Sequence, residues 1–242
     1  MLLDKSYKVS AFGDFSDIDP TQENMEYMLE QFGKRGLLPS IFQEIVTPNN
    51  RLPLPVQRIA LISNDSTKQV VIASNRVDFI LQVNSDKKLS DEEITKINQE
   101  SKNIFADLFN KFNKKSNRLA LNTESFIVEL DNEELKNFMS QFKNPVSIYN
   151  GILDEWNIRM MIRQECRIRD KAENANIITE ISRGEFLKKV EESIKNSTGF
   201  SVFNDINTVV SNQKRFDAED LYDFSIYASK LWRKILDDIN TR

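Results

Sequence analysis

The chain has 242 residues, of which 40% are hydrophobic and 29% charged, a balance typical of a protein that folds around its own core. Its net charge of −4 argues against nonspecific nucleic-acid binding driven by overall charge. Histidine is absent and Cys166 is the single cysteine, which excludes histidine-based nucleophile pairs, histidine-ligated zinc, internal disulfides and multi-cysteine metal sites.

The cysteine usage also favours a reducing compartment. The first ten residues contain no apolar run of signal-peptide length, and no segment approaches the roughly 18 uninterrupted apolar residues of a membrane span. We therefore expect a cytoplasmic protein without a membrane partner. The six glycines occur singly near predicted turns or element ends and form no phosphate-binding loop, which excludes nucleotide binding through a standard loop. No cofactor is expected, and a metal enters only in the Mg²⁺ alternative given below.

Taken in chain order, the first half predicts a strand, a short helix, four strands and a long helix. Pro20 marks the start of the short helix, and Ser90 with Glu93 forms a capping-box pattern at the start of the long one. Runs of β-branched residues between Asn- and Asp-rich turns predict the strands. The predicted elements are Tyr7–Phe15, Pro20–Phe32, Ile41–Val46, Arg58–Ser63, Gln69–Ser74, Val77–Val83 and Asp91–Phe112.

The same order begins again at Arg118. Superposing Ile94 on Leu221 matches every apolar stripe position of the two long helices, and it places Ser101 on Ala228. The alternative is that any two amphipathic helices align in some register, because their stripes share one period. The predicted elements of this half are Arg118–Leu130, Glu133–Phe142, Val146–Tyr149, Trp156–Arg169, Ala175–Ser182, Phe200–Val210 and Asp217–Ile239.

The chain is therefore predicted to be an α+β protein made of two diverged copies of one strand-helix-four-strand-helix unit, residues 1–115 and 116–242. This layout resembles the TATA-binding protein, whose two halves form one curved antiparallel sheet with helices on one side. The resemblance is one of topology, covers most of the chain and carries no motif, so it implies nothing about DNA.

A second resemblance lies in the sequence itself. The runs 38–45, 58–63 and 72–79 look like an uncharacterised, sporadically distributed bacterial family. Members of that family tend to lie among mobile and anti-phage genes. The resemblance implies a context of genome conflict and no particular chemistry.

The predicted strand Trp156–Arg169 alternates between apolar and basic residues, with Ile158 to Ile168 on one face and four arginines on the other. If helices cover the apolar face, the arginines line the open face, where they can bind phosphates or a partner's carboxylates. The alternative is a solvated face on which they pair across strands with acids such as Glu180 and Asp205. The arginines are Arg159, Arg163, Arg167 and Arg169.

Two further features bear on chemistry. Asp205 and Asn207 share a face of one predicted strand, and their oxygens are ligands that Mg²⁺ accepts; the alternative is local hydrogen bonding at a strand end. Cys166 falls on the apolar alternation, so it is predicted to be an inert core thiol.

These patterns favour a noncatalytic binding or accessory protein that recognises a protein partner through the open sheet face, in a bacterial anti-phage defence or mobile-element locus. One alternative is a nucleic-acid-binding protein that uses the arginine strand. A further alternative is a Mg²⁺-dependent hydrolase that uses Asp205.

Overall fold

A computed structural model describes residues 1–47, 52–84, 87–128, 133, 156–190, 193–211 and 213–240; at 184–190 and 193–198 it describes the backbone. These residues form nine strands, three α-helices and a 3₁₀ turn at Gly33–Arg35. The strands are β1 (Leu2–Phe12), β2 (Leu37–Val46), β3 (Leu54–Ser63), β4 (Lys68–Ala73), β5 (Arg76–Gln82), β6 (Arg118–Val128), β7 (Trp156–Ile168), β8 (Lys171–Val190) and β9 (Ser193–Thr208).

The three helices are α1 (Gln22–Phe32), α2 (Asp91–Lys111) and α3 (Ala218–Asn240). Helix α1 begins after Thr21, whose hydroxyl accepts a hydrogen bond from the Asn24 amide at 3.3 Å, so the start predicted at Pro20 is two residues early. The predicted capping box of α2 is confirmed. At the start of α3, Asp217 and Asp220 form the same reciprocal arrangement, each carboxylate accepting from the other's backbone amide.

All nine strands pair antiparallel in one curved, unclosed sheet with the order β2-β3-β4-β5-β1-β6-β9-β8-β7. The strands β1 and β6 lie side by side at the centre, with Tyr7 opposite Thr123. From β1 the sheet continues outward through β5, β4, β3 and β2, and from β6 it continues through β9, β8 and β7. In each half, the strand that comes last in the chain therefore lies next to the central strand. The α+β class and the single curved sheet are confirmed. The division into two copies, residues 1–115 and 116–242, stays a prediction, because the predicted elements Glu133–Phe142 and Val146–Tyr149 lie outside the described residues apart from Glu133.

The three helices lie on one side of the sheet, and the main core lies between them and the sheet. Alternate residues of β1 (Tyr7, Val9 and Ala11) are fully buried on that side. The Tyr7 hydroxyl donates to Asn98 of α2 at 2.6 Å and lies 2.6 Å from the Ser229 hydroxyl of α3, so it ties both long helices to the central strand. Burial raises the pKa of Tyr7 well above its ordinary value.

The helix superposition predicted from sequence agrees with the observed burial at two matched positions. Ser101 and Ala228, the two small residues at matching stripe positions, are both fully buried, and so are Phe105 and Trp232 four positions later. Tyr27 of α1 donates to the Asp107 carbonyl at 3.2 Å, which fixes α1 against α2 on the same side of the sheet.

The strands β8 and β9 are longer than predicted. Past the opposed pair Gly184 and Gly199 they continue to pair with each other, ending at Val190 opposite Ser193, and no other described strand pairs with this extension. A Cβ on Gly199 would lie 2.1 Å from the Ile127 carbonyl oxygen, so only glycine permits the close approach of β9 to β6. These two glycines therefore lie inside strands, and the expectation that every glycine marks a turn or element end is wrong.

No helix in the described part of the chain is both long enough and apolar enough to cross a lipid bilayer.

Candidate partner-binding surface

The side of the sheet opposite the helices is called the helix-free face below. Its residues follow from the strand register, because alternate side chains of each strand point to it. One row crosses the whole sheet from β7 to β2: Met161, Ile178, Asp205, Asn122, Lys8, Ile80, Gln69, Ile62 and Leu38.

The structure brings three of the four predicted arginines together. Arg159, Arg163 and Arg167 occupy alternate-face positions of β7 and are exposed on the helix-free face. They line the outermost of the described strands at this end of the sheet.

Arg169 does not join them, so the prediction of four arginines on one face is wrong at this position. The strand β7 ends at Ile168, and Arg169 lies in the following turn with φ of +52°, a left-handed conformation that redirects its side chain. Its guanidinium lies 3.4 Å from the Asp217 carboxylate, and its backbone amide donates to Asp223 at 3.0 Å. Arg169 therefore fastens the β7–β8 turn to the start of α3.

A chain of hydrogen bonds crosses the helix-free face from β7 to β9. The Arg163 Nε donates to Asn176 Oδ1 at 2.9 Å, and Asn176 Nδ2 donates to Asn207 Oδ1 at 3.2 Å. Asn207 Nδ2 in turn donates to Asp205 Oδ1 at 2.9 Å. The shared face of Asp205 and Asn207 is confirmed. No sequence pattern indicated Asn176, because its link to Asn207 depends on strand register.

The predicted pairing of these arginines with acids is only partly present. Arg159 lies opposite Glu180, as an ion pair would require, but that carboxylate accepts from Asn157 Nδ2 at 2.5 Å. Among the residues that the structure describes, the Arg159 guanidinium has no hydrogen-bond or ion-pair partner. Arg163 bonds an amide, so neither arginine forms an ion pair with a carboxylate of the described residues.

Exposed apolar side chains lie beside the arginines. Met161 is 53% exposed and lies opposite the half-buried Ile178, and Phe203 of β9 is 39% exposed and diagonal to Ile178. These three residues are called the apolar patch below. Aromatic residues, methionine and arginine are enriched at the centres of protein interfaces.

Among the described residues, the charges of the helix-free face nearly balance, with seven basic and six acidic positions. This described part therefore presents no single-sign field of the kind that attracts nucleic acid. In the strand register the basic residues are Lys8, Arg58, Arg76, Arg118, Arg159, Arg163 and Arg167, and the acidic residues are Glu44, Asp78, Glu124, Glu165, Glu180 and Asp205.

The other face of β7 is only half covered. Cys166 and Ile168 are buried, whereas Met160 and Ile162 are 42% and 57% exposed, so the apolar alternation predicts their orientation but not their burial. Burial raises the pKa of the Cys166 thiol to about 11, and nearby Glu173 adds to the effect. The predicted place of Cys166 in the core is confirmed, and its inertness stays a prediction.

Metal chemistry at Asp205 finds no support in the geometry. One of its carboxylate oxygens accepts from Asn207, and across the described ranges no group of three or more Asp, Glu or Cys side chains is placed to hold a metal ion. Asp205 and Asn207 therefore fit the alternative, in which the two side chains hydrogen-bond locally.

Arg58, the only arginine at the matching place in the first half, is structural. It is 4% exposed and donates to Asp19 at 3.0 Å and to Glu44 at 3.2 Å. Burial by itself raises the pKa of Glu44, but hydrogen bonds from Ser74 and the Arg58 charge outweigh it, so the pKa lies below its ordinary value.

A second buried ion pair joins the two chain ends. The Arg233 guanidinium donates to both oxygens of Asp4, at 2.7 and 3.2 Å, and the two residues are 229 positions apart. Asp4 also accepts from Ser125 at 2.9 Å and from the Leu89 amide at 2.8 Å. This fully bonded carboxylate holds β1, β6 and α3 together and was missed by sequence reasoning.

Comparison with protein-family models, with curated proteins and with solved structures gave no significant match.

Proposed function

We propose that the chain is a noncatalytic binding or accessory protein that recognises a protein partner through the helix-free face. The observation that carries the proposal is the apolar patch of Met161, Ile178 and Phe203, set beside Arg159 and Arg163, for which the described residues supply no ion-pair partner. Apolar side chains flanked by arginines are typical of interface hot spots, where both kinds of side chain are buried against the partner.

The charge balance favours a protein over a nucleic acid. Phosphate backbones select surfaces on which basic residues predominate, whereas this face carries acids such as Glu165 and Asp205 between its arginines. A protein surface of mixed charge matches the helix-free face better, because the carboxylates of this face can then also meet basic groups of the partner.

The resemblance of the segments 38–45, 58–63 and 72–79 to a family found among mobile and anti-phage genes supplies a context for the proposal. In that context the partner is a protein encoded at the same defence or mobile-element locus. Because the face shows no set of acids for metal chemistry among the described residues, the proposed role is recognition and not hydrolysis.

The test is quantitative affinity purification of the tagged full chain from its native host, with nuclease treatment and mass spectrometry. The variant Met161→Ser/Phe203→Ser removes the two exposed members of the apolar patch. The matched control is Leu29→Ser, which removes a 52% exposed apolar residue from α1 on the opposite side of the sheet.

A stoichiometric protein that survives nuclease, is retained by the control and is lost by the double variant is the expected result. Equal recovery by all three forms would contradict a role of the helix-free face. Recovery of nucleic acid that disappears in Arg163→Glu/Arg167→Glu and at high salt would instead favour the nucleic-acid alternative, for which the exposed arginine row of β7 is the specific observation.

A further inference from the structure

The strand β2 forms one end of the sheet. It pairs with β3 over its full length, Leu37 opposite Ser63 to Val46 opposite Leu54, and among the described residues no strand lies on its other side. An unpaired strand edge of this length is a template for another strand unless charges, bulges or short length protect it.

Two prolines identify which backbone groups face outward. Pro39 pairs with Leu61 and Pro55 pairs with Ile45, and proline has no amide hydrogen to donate to a neighbouring strand. Both pairs are therefore non-hydrogen-bonded pairs of the β2–β3 ladder. Because such pairs alternate, the amides and carbonyls of Ile41, Gln43 and Ile45 point away from β3.

The side chains of these same residues are uncharged and exposed. Ile41 is 48% and Ile45 65% exposed, and the exposed Gln43 lies between them on the same face of the strand. The single ionised residue of β2, Glu44, is already bonded to Arg58 and Ser74. The outer edge thus lacks the lysines or inward charges that commonly prevent edge-to-edge pairing.

We propose that β2 pairs antiparallel with β2 of a second copy of this chain, about a two-fold axis that passes through Gln43. In this register Ile41 lies opposite Ile45 of the other copy, and Gln43 lies opposite itself. Each of the three outward amides then meets an outward carbonyl of the other copy. If the pairing register were shifted by two residues toward Pro39, that proline would enter the ladder between the copies without an amide hydrogen to donate.

The second copy fits because the edge is self-complementary, as an isologous two-fold interface requires. Apolar residues meet apolar residues, and the amide side chains meet at the axis, where they can hydrogen-bond to each other. On the helix-free side, Phe42 lies opposite Glu44, whose charge Arg58 compensates within each chain. The sheet would continue through the axis just as the homologous strands β1 and β6 continue it inside one chain.

A charge exchange at the axis tests the register. Gln43→Lys and Gln43→Glu are made in the full chain, and self-association is followed by sedimentation velocity over a concentration series. Only a two-fold strand pair centred on this residue brings position 43 of one copy against position 43 of the other. Each variant alone is therefore expected to self-associate about tenfold or more weakly than the unchanged chain, and an equimolar mixture is expected to recover association.

Gln57→Lys and Gln57→Glu are the matched controls. Gln57 lies opposite Gln43 on β3, is exposed on the same face and carries the same side chain, but it is one strand away from the axis. These controls should self-associate like the unchanged chain, and circular dichroism should show equal folding of all forms. An unchanged chain that stays monomeric at every concentration, or a mixture of the two Gln43 variants that stays monomeric, would overturn the proposal.

Discussion

The two faces of the sheet differ in how they treat polar groups. On the helix-covered face, polar residues such as Tyr7 and Asp4 are fully buried and bonded to several partners. On the helix-free face, Arg159 and Arg163 stay exposed beside apolar side chains. The helix-covered face therefore supplies most of the stability, whereas the exposed part of the helix-free face around β7 carries side chains that folding does not require.

Trp232→Ala should have the largest effect, because it removes the largest side chain of the helix-covered core. Trp232 is fully buried, and the centre of its ring lies 5.7 Å from the centre of the Tyr7 ring. The Arg233 guanidinium carbon lies 4.0 Å from the centre of the Trp232 ring. We expect a loss of about 3 to 5 kcal/mol in the free energy of unfolding, measured by urea denaturation. Phe203→Ala on the helix-free face is the control and should cost less than about 1 kcal/mol; equal costs would break the distinction between the faces.

Asp4→Ala should cost about 3 kcal/mol, because it leaves the Arg233 guanidinium buried without its carboxylate. The double variant Asp4→Ala/Arg233→Met removes both charges, and it should recover part of that loss in the same denaturation experiment. If the double variant is as unstable as the sum of the two single variants, the ion pair is not the cause.

Glu44→Gln tests an ion pair at the boundary of the two faces through pH. The folded-state pKa of Glu44 lies below its ordinary value of about 4.5, so its carboxylate stabilises the fold above that pH. This contribution is lost as the pH falls through the lower folded-state pKa. We expect the variant to lose about 1 to 2 kcal/mol at pH 7 and to show a flatter decline of stability below about pH 4.5.

The exposed Glu30 of α1 offers a control for the substitution itself. Glu30→Gln should leave the stability at pH 7 nearly unchanged. A Glu44 variant whose stability declines with acid as steeply as that of the unchanged chain would show that other carboxylates govern the acid response.

Arg163→Ala should have the smallest effect on folding, and it tests the comparison with an exposed residue of the helix-free face. It removes one exposed hydrogen bond to Asn176, so the free energy of unfolding should change by less than about 0.5 kcal/mol. Under the proposed function, the same change should reduce recovery of the protein partner. A large loss of stability would instead make this arginine a structural residue.

Much of the fold was predictable because local pattern reports local structure. The period of the apolar residues located both long helices, and the Ser90–Glu93 spacing gave the α2 cap. The strand alternation also gave the orientation of Arg159, Arg163 and Arg167 correctly. The resemblance to the saddle of the TATA-binding protein stays a prediction.

The candidate surface was less predictable, because its contacts join residues that are distant in sequence. The same alternation that oriented Arg163 failed at Arg169, where the strand had already ended and a left-handed turn redirected the chain. It also could not show that Ile162 is exposed, since burial depends on what lies beside β7 and not on the strand itself.

The sequence by itself determined the two long helices, the α2 cap and the face to which Arg159, Arg163 and Arg167 point, because these depend on neighbours a few positions away. Only the tertiary structure decided strand register, and with it the Arg163–Asn176–Asn207 links and the opposition of Gly184 and Gly199. The pairing of Asp4 with Arg233 likewise belongs to the assembled sheet and helices, since nothing local connects residues 229 positions apart.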